Sequence, residues 1–189
     1  MAIWFTSDWH FGHQKEFLYV PRGYYSVDVM NRDLVARYNS LVKPEDDVYC
    51  LGDCALGGAA ALEDNYQLMK KLNGLIHIIV GNHDSAKKIE MYSKLPNVVE
   101  IQNSLYWKYQ KYNFYLCHFP CATTNFDLHK SLKERTIALC GHSHTKDKFQ
   151  DMTIGAYHVE VDCHENRPVD IEEIITDIKT WNTNYQATL

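Results

Sequence analysis

Five short clusters along the chain carry carboxylate, amide and imidazole side chains, and each follows an apolar run within a residue or two. These groups are ligands that first-row divalent metals take in proteins. The clusters are Asp8-Trp9-His10, Gly52-Asp53, Gly81-Asn82-His83-Asp84, His118 and Gly141-His142-Ser143-His144. One such cluster is a weak signal, whereas five in succession form a specific one. The pattern predicts a metal site assembled from distant parts of the chain.

The ligand chemistry indicates two ions. Mixed nitrogen and oxygen ligation suits manganese, iron, zinc or nickel better than calcium or an iron–sulfur cluster. Seven protein ligands are too many for one tetrahedral ion but suit two ions that share the Asp53 carboxylate, whose oxygens have lone pairs to spare. Paired ions about 3.5–4 Å apart are typical of phosphoester hydrolysis, in which they acidify a bridging water to hydroxide. The predicted ligands are Asp8, His10, Asp53, Asn82, His118, His142 and His144.

Two local features refine this prediction. One residue separates Asp8 from His10, and one separates His142 from His144. In an extended chain such residues point to the same side, so each pair is expected to aim two ligands into one space. His83 lies next to a predicted ligand, and an imidazole free of metal there would protonate the leaving oxygen as a general acid.

The elements that must position these clusters are short apolar runs that alternate with segments of helical period, which predicts α/β layering. In open α/β sheets, ligands bind at the carboxyl ends of the strands. If the strands before the clusters are parallel neighbours, the clusters meet at one edge. The predicted strands are Ile3–Ser7, Val48–Leu51, Leu75–Val80, Val98–Ile101, Leu105–Tyr109, Phe114–Cys117, Ile137–Cys140 and Tyr157–Val161. The predicted helices are Asp28–Leu41 (N-cap Ser26), Ala59–Leu72, Ala86–Leu95 and Val169–Trp181.

Composition bounds the class of protein. The chain has 189 residues, of which 46% are hydrophobic and 23% charged. This ordinary globular mixture predicts a single domain over residues 1–189 and excludes disordered, collagen-like and coiled-coil chains. With a net charge of -5, the chain lacks the excess of basic residues that many nucleic-acid-binding domains have. No apolar run approaches the roughly 18 residues of a membrane span, and the N-terminus does not resemble a secretion signal, so we expect a cytoplasmic protein.

The cysteines and three of the histidines have simpler interpretations. Most of the six cysteines end apolar runs, which predicts reduced, buried thiols. The alternative is a metal site built from Cys50/Cys54 and Cys117/Cys121, because three intervening residues fall within zinc-ligand spacings. The histidines predicted to be structural are His77, His129 and His158.

The five clusters, in this order, resemble the motifs of the calcineurin-like metallophosphoesterase superfamily. A small bacterial or phage branch is similar also at Ser7-Asp8-Trp9-His10-Phe11-Gly12-His13 and near Asn166-Arg167-Pro168-Val169. The resemblance implies a four-layer α-β-β-α fold, in which two packed mixed β-sheets are flanked by helices. It implies that His83 is the leaving-group acid, oriented by Asp84. The implied ligands are Asp8, His10, Asp53 and His144 for the first ion, and Asp53, Asn82, His118 and His142 for the second.

The sequence departs from the pattern of the superfamily in two places. Many relatives carry an Arg a few residues after Gly-Asp, whereas the run here is Cys54-Ala55-Leu56-Gly57-Gly58. Relatives also often have Glu at the position of Asp84. The candidates for the missing phosphate contact are His13, Arg22 and Arg167, since a guanidinium fork matches phosphate geometry and Gly12 frees the chain beside His13.

These residues predict a dimetal phosphodiesterase or phosphatase with a small-molecule or nucleotide phosphoester substrate and manganese as the first choice of metal. One alternative is a nuclease: an aromatic content of 13% could supply base-stacking surfaces, although the acidic net charge argues against long polymers. The other alternative is a non-catalytic scaffold on the same fold. Such scaffolds tend to lose ligands, whereas this chain retains every one.

Overall fold

A computed structural model describes residues 1–188 of the chain. The strands are β1 (Ile3–Thr6), β2 (Asp47–Cys50), β3 (Leu75–Ile79), β4 (Val98–Gln102), β5 (Leu105–Tyr109), β6 (Tyr112–Leu116), β7 (Thr136–Cys140), β8 (Ala156–His158) and β9 (Val169–Asp170). The α-helices are α1 (Glu16–Tyr19), α2 (Val27–Leu41), α3 (Leu62–Met69), α4 (Ala86–Tyr92) and α5 (Ile171–Gln186). Short 3-10 turns lie at 59–61, 132–134, 152–154 and 161–163.

The strands form two mixed sheets. The first has the order β4-β3-β2-β1-β9 and the second β5-β6-β7-β8. In the first sheet β1 to β4 are parallel and β9 is antiparallel to β1. In the second sheet β6, β7 and β8 are parallel, and β5 forms an antiparallel hairpin with β6. The predicted class, two packed mixed sheets flanked by helices, is confirmed.

Successive side chains along β2 and just after it point to opposite faces of the first sheet, which explains why that sheet lies between two cores. Val48 and Cys50 belong to the core under the helices, whereas Tyr49 and Leu51 face the core between the sheets. Strands buried on both faces read as continuous apolar runs, which is why the sequence shows these strands clearly. The helix α5 extends the inter-sheet core with a stripe of isoleucines. That stripe comprises Ile171, Ile174, Ile175 and Ile178.

The helix ends follow their capping residues. Ser26 Oγ accepts from the backbone N–H of Val29 at 3.3 Å and begins α2, as predicted. Asp170 accepts from the backbone N–H of Glu173 at 2.8 Å and begins α5. Because Asp170 and Val169 are paired with β1, the predicted start of this helix at Val169 is wrong. No helix within residues 1–188 has the length and apolar character needed to cross a membrane.

One topological prediction requires correction. The strands before the five clusters are not neighbours in one sheet: β1, β2 and β3 lie in the first sheet, and β6 and β7 in the second. Their carboxyl ends still meet, because the sheets stack with these ends along the same edge. The parallel bridge between Ser7 and Glu160 lies just beyond β1.

Candidate metal centre

The seven predicted ligands come together where β1, β2, β3, β6 and β7 end. The backbone N–H of His142, after β7, donates to Asp8 Oδ2, after β1, at 3.0 Å. The N–H of Gly141 donates to the carbonyl of His118, after β6, at 2.9 Å. The first bond joins the two sheets at this edge, and the second joins the neighbouring loops after β6 and β7 in the second sheet.

The first group of ligand atoms surrounds the His10 imidazole. Its Nε2 lies 3.6 Å from Asp8 Oδ1, 3.6 Å from Asp53 Oδ2 and 3.1 Å from His144 Nε2. The other ring nitrogen of His144, Nδ1, lies 2.9 Å from Asp162 Oδ2. When the Nδ1–H donates a hydrogen bond to this carboxylate, the Nε2 lone pair faces the group, as in a metal-ligating histidine.

The second group of ligand atoms surrounds Asn82. Its Oδ1 lies 2.9 Å from His118 Nε2 and 2.9 Å from His142 Nδ1. His118 Nε2 also lies 3.5 Å from Asp53 Oδ2. Its Nδ1–H donates to the Leu51 carbonyl at 2.8 Å, which directs Nε2 towards the group. The Oδ2 atom of Asp53 therefore lies between the two groups.

Five of the seven predicted ligand residues adopt left-handed backbone conformations. The φ angle is 58° at Asp8, 49° at His10, 53° at Asp53, 76° at His142 and 50° at His144. Such conformations cost about 1–3 kcal/mol each for residues other than glycine and cluster at functional sites. The expectation that each i, i+2 pair is extended is therefore wrong. His142 and His144 face different groups, because the chain turns between them.

Close contacts between the loops hold these conformations. The N–H of Asp8 donates to the carbonyl of Gly52 at 3.0 Å. A Cβ atom on Gly81 would lie 2.6 Å from the backbone nitrogen of Asp53, and one on Gly141 would overlap Asp8 Oδ2. Both positions require glycine because the ligand carboxylates lie directly against the backbone.

Burial and the neighbouring charges shift the pKa values of the ionisable groups in opposite directions. Burial raises the pKa of Asp53, but hydrogen bonds with the His118 ring and the His83 N–H lower it to about 2. Burial lowers the pKa of His118, but contacts with Asp53 and Asp8 raise it to about 9. Asp8 is fully buried, and its Oδ1 has no hydrogen-bond partner among the described residues. A buried carboxylate oxygen without a donor is costly, and a divalent cation beside His10 would satisfy it. The donor set fits such cations.

Comparison with known protein families agrees with this geometry. The calcineurin-like phosphoesterase superfamily domain matches residues 1–160. The chain belongs to this superfamily. An uncharacterised protein of Methanocaldococcus jannaschii is 35% identical over 127 residues, which cover 66% of this chain and 64% of that protein. The chain thus spans slightly less than two thirds of the archaeal relative.

A viral relative and a solved structure match over nearly the whole chain. The Gene 66 protein of Mycobacterium phage D29 is 30% identical over 202 residues, covering 94% of this chain and 97% of the phage protein. The crystal structure of a protein of unknown function from Aquifex aeolicus superposes with a TM-score of 0.69 at 19% identity, covering 93% of this chain and 98% of that one. At 19% identity, the similarity to the Aquifex aeolicus protein shows a shared fold alone.

In this member of the superfamily, His83 and Asp84 have separate surroundings. The exposed His83 ring lies 5.4 Å from the His10 ring, and its backbone N–H donates to Asp53 Oδ1 at 2.8 Å. Asp84 is buried and accepts four hydrogen bonds, none of them from the His83 ring. Its donors are the N–H groups of Asp53 at 2.8 Å, Gly81 at 2.8 Å and Cys54 at 3.3 Å, and the Tyr92 hydroxyl at 2.8 Å. The expectation that Asp84 orients His83 is therefore corrected: Asp84 orients the backbone of the loops after β2 and β3.

Arg22, a predicted phosphate contact, has its donors engaged inside the protein. It is buried and forms a bidentate pair with Asp162, with Nε at 3.0 Å and Nη2 at 2.6 Å. Nη2 donates to the carbonyl of Asp8 at 2.8 Å, and Nη1 donates to that of Trp9 at 3.2 Å. Arg22 thus holds the first ligand loop, and its guanidinium is not free to bind a phosphate.

Arg167, the second predicted phosphate contact, is also paired. Its two terminal nitrogens each lie 3.1 Å from a carboxylate oxygen of Glu173, in the first turn of α5. The structure therefore gives Arg167 a structural ion pair in place of the predicted contact.

His13, the third predicted phosphate contact, lies beside the centre. Its ring is 5.8 Å from the His10 ring. Burial, together with the neighbouring imidazole of His10, lowers the pKa of His13 to about 4. The backbone N–H of Lys15 donates to His13 Nδ1 at 3.1 Å. The proton of the neutral ring is therefore on Nε2, and this atom is a hydrogen-bond donor.

Sequence reasoning missed two buried charged residues that hold the centre. Asp162 binds His144 and Arg22, and together these contacts overcome the effect of burial and hold its pKa well below the usual range. Lys88 Nζ donates to the carbonyls of Ala55 at 2.8 Å and His83 at 2.7 Å, joining two ligand loops. Asp162 follows the apolar run before it as the five clusters follow theirs, so this signal was present. Lys88 lies within a helix and gives no such signal.

The cysteines form two close pairs. The sulfur atoms are 3.4 Å apart in Cys50/Cys54 and 3.5 Å apart in Cys117/Cys121. Within residues 1–188, neither pair belongs to a group of three or more metal-ligating side chains. The zinc alternative therefore has no support from this geometry.

The Arg22–Asp162 pair yields a stability prediction. Arg22→Ala leaves the buried Asp162 without its guanidinium and should lower the free energy of unfolding by about 3–5 kcal/mol. The control is Arg37→Ala, which breaks an exposed pair with Asp33 and should cost at most about 1 kcal/mol. Urea unfolding at pH 7 measures both, and equal losses would contradict the structural role of Arg22.

The glycine at position 81 yields a second prediction. Gly81→Ala should lower the free energy of unfolding by about 1–3 kcal/mol, because the new methyl group overlaps Asp53. Gly58 has open space where its Cβ would be, so Gly58→Ala should change stability by about 0.5 kcal/mol or less. Denaturant unfolding of the pair tests this. If Gly81→Ala were as stable as the control, the close packing against Asp53 would be refuted.

Proposed function

We propose that the protein is a phosphoester hydrolase, a phosphodiesterase or phosphatase, that uses two divalent cations held at the end of the sandwich. The observation that carries the proposal is the position of Asp53 Oδ2, 3.6 Å from His10 Nε2 and 3.5 Å from His118 Nε2. A carboxylate between two sets of nitrogen and oxygen ligands is the arrangement that two cations would share. The unpartnered Oδ1 of Asp8 supports it.

Each ion would take ligands from both sheets. The proposed ligands are Asp8, His10, Asp53 and His144 for the first ion, and Asp53, Asn82, His118 and His142 for the second. This mixed nitrogen and oxygen set favours manganese, with iron, zinc or nickel as further possibilities. When bound, such a pair supplies an acidified water and positive charge against the phosphoryl oxygens.

His83 is the proposed general acid. Its backbone is fixed on both sides, by the N–H bond to Asp53 and by the bond from Lys88 Nζ to its carbonyl. Its exposed ring beside His10 is free to hold a proton towards the leaving oxygen of a bound ester. The Nε2–H of His13 is the proposed phosphate contact, in place of the Arg that many relatives carry after Gly-Asp.

Two features decide between the alternatives. A scaffold has no need of strained backbone at five ligand positions, so their left-handed conformations support hydrolysis. The acidic net charge supports a small phosphoester over a long nucleic acid. Small-molecule and nucleotide phosphoesters are therefore the proposed substrates.

Removal of the shared carboxylate charge tests the metal centre. Asp53→Asn should lose manganese binding and hydrolysis of bis(4-nitrophenyl) phosphate together, each by about a hundredfold or more, because both ions lose a charged ligand. Isothermal titration calorimetry and absorbance at 400 nm measure the two losses. Asp64→Asn, an exposed acid on α3, is the control. Full metal-dependent activity in Asp53→Asn would refute the ligand assignment.

Removal of the acid tests His83 separately. His83→Gln should retain manganese affinity and lower kcat by about 10²–10⁴-fold, the range for general acid–base catalysis. The loss should be smaller for esters with a good leaving group, since these need no protonation. His129→Gln, at an exposed loop position, is the control. Unchanged kcat for a poor leaving group would exclude His83 as the acid.

A further inference from the structure

Two phenylalanines beside the centre are exposed to an unusual degree. Phe17 on α1 has 74% of its surface exposed, and Phe119, directly after the ligand His118, has 50% exposed. Scattered exposed apolar residues are ordinary. These two are distinguished by their position, because each packs against imidazole rings of the site.

The two rings adjoin opposite groups of ligands. Phe17 lies 5.3 Å from the ring of His13, which lies 5.8 Å from that of His10 in the first group. Phe119 lies 5.0 Å from His118 and 4.7 Å from His142, both in the second group. A phosphorus atom bound between the groups would have one phenylalanine on either side.

Both rings are held in place with their outer faces open. Pro120 restricts Phe119 to extended backbone, and the thiol of Cys117 donates to the Phe119 carbonyl at 3.1 Å. Leu18, next to Phe17, is buried in the core under the helices and anchors α1. A ring held in this way loses little entropy when a ligand covers it.

The two arginines predicted to contact the substrate are paired with carboxylates, so the two phenylalanine rings are the groups that would contact the organic part of a substrate. Arg22 and Arg167 are engaged with Asp162 and Glu173. Planar groups bind to such rings by offset or edge contacts, and aromatic stacking of a nucleobase is sequence-tolerant because every base has a π-face.

We propose that Phe17 and Phe119 form an aromatic rim that binds planar groups on the two sides of a phosphodiester, either aryl groups or nucleobases. This rests on the proposed function and narrows its substrate class from phosphoesters in general to diesters with two planar substituents. The rim is a specificity determinant and takes no part in proton transfer.

Steady-state kinetics of the manganese-loaded protein tests the rim. With bis(4-nitrophenyl) phosphate, Phe17→Ala and Phe119→Ala should each raise KM about tenfold and change kcat by no more than about twofold. With methyl 4-nitrophenyl phosphate, which has one ring, only one of the two variants should raise KM. Tyr25→Ala, which removes another exposed ring, should change neither constant.

A binding measurement gives a readout without turnover. Calorimetry should show that the manganese-loaded wild-type protein binds adenosine monophosphate about tenfold more tightly than inorganic phosphate, and that one of the two alanine variants loses this difference. Equal affinities in the wild type, or unchanged KM in both variants, would overturn the rim while leaving hydrolysis intact. A wild-type protein that neither binds manganese nor hydrolyses any diester would overturn the proposed function itself.

Discussion

The arrangement of the centre depends on one constraint, the burial of the Asp53 carboxylate between imidazoles from two different sheets. Its Oδ2 faces His10 from β1 and His118 from β6, while its Oδ1 accepts the His83 N–H. A buried carboxylate is unfavourable unless donors and positive charge surround it. The loops after β1, β2, β3 and β6 must therefore converge on this residue, and Asp84 holds two of them by their backbone N–H groups.

The left-handed ligand residues show how this convergence is sustained. Several residues with unfavourable φ angles together oppose folding by several kcal/mol. Two apolar cores, one under the helices and one between the sheets, provide the opposing free energy. The hydrogen bonds of Arg22 and Lys88 then select the strained loop conformation over relaxed ones, because each side chain bridges segments that are distant in sequence. Strain at the site is thus supported by packing elsewhere.

The residues that converge at the candidate centre were predictable from sequence because their signal is local: a polar residue directly after a buried strand. The strands themselves were visible as apolar runs, and seven of the eight predicted runs match observed strands to within two residues at each end. The two sheets were implied by the resemblance to the superfamily, but the apolar runs alone did not show which strands share a sheet, since residues adjacent across the sandwich are far apart along the chain. Arg22 was misassigned for the same reason, as its partner Asp162 lies 140 residues away. Asp84 was misassigned because three of its four donors are backbone groups, which leave no trace in residue type.

The engaged arginines and the acidic residues of the centre limit how the proposed phosphoester substrate would be recognised. A chain with a net charge of -5 does not attract anions by its overall field. Under the proposed function, affinity for the phosphoryl group would come from the cations and from a neutral donor such as His13 Nε2–H. Since such contacts are common to every phosphoester, they give no discrimination among substrates. Discrimination must arise from the side chains around the metal centre, where the exposed rings of Phe17 and Phe119 adjoin its two halves.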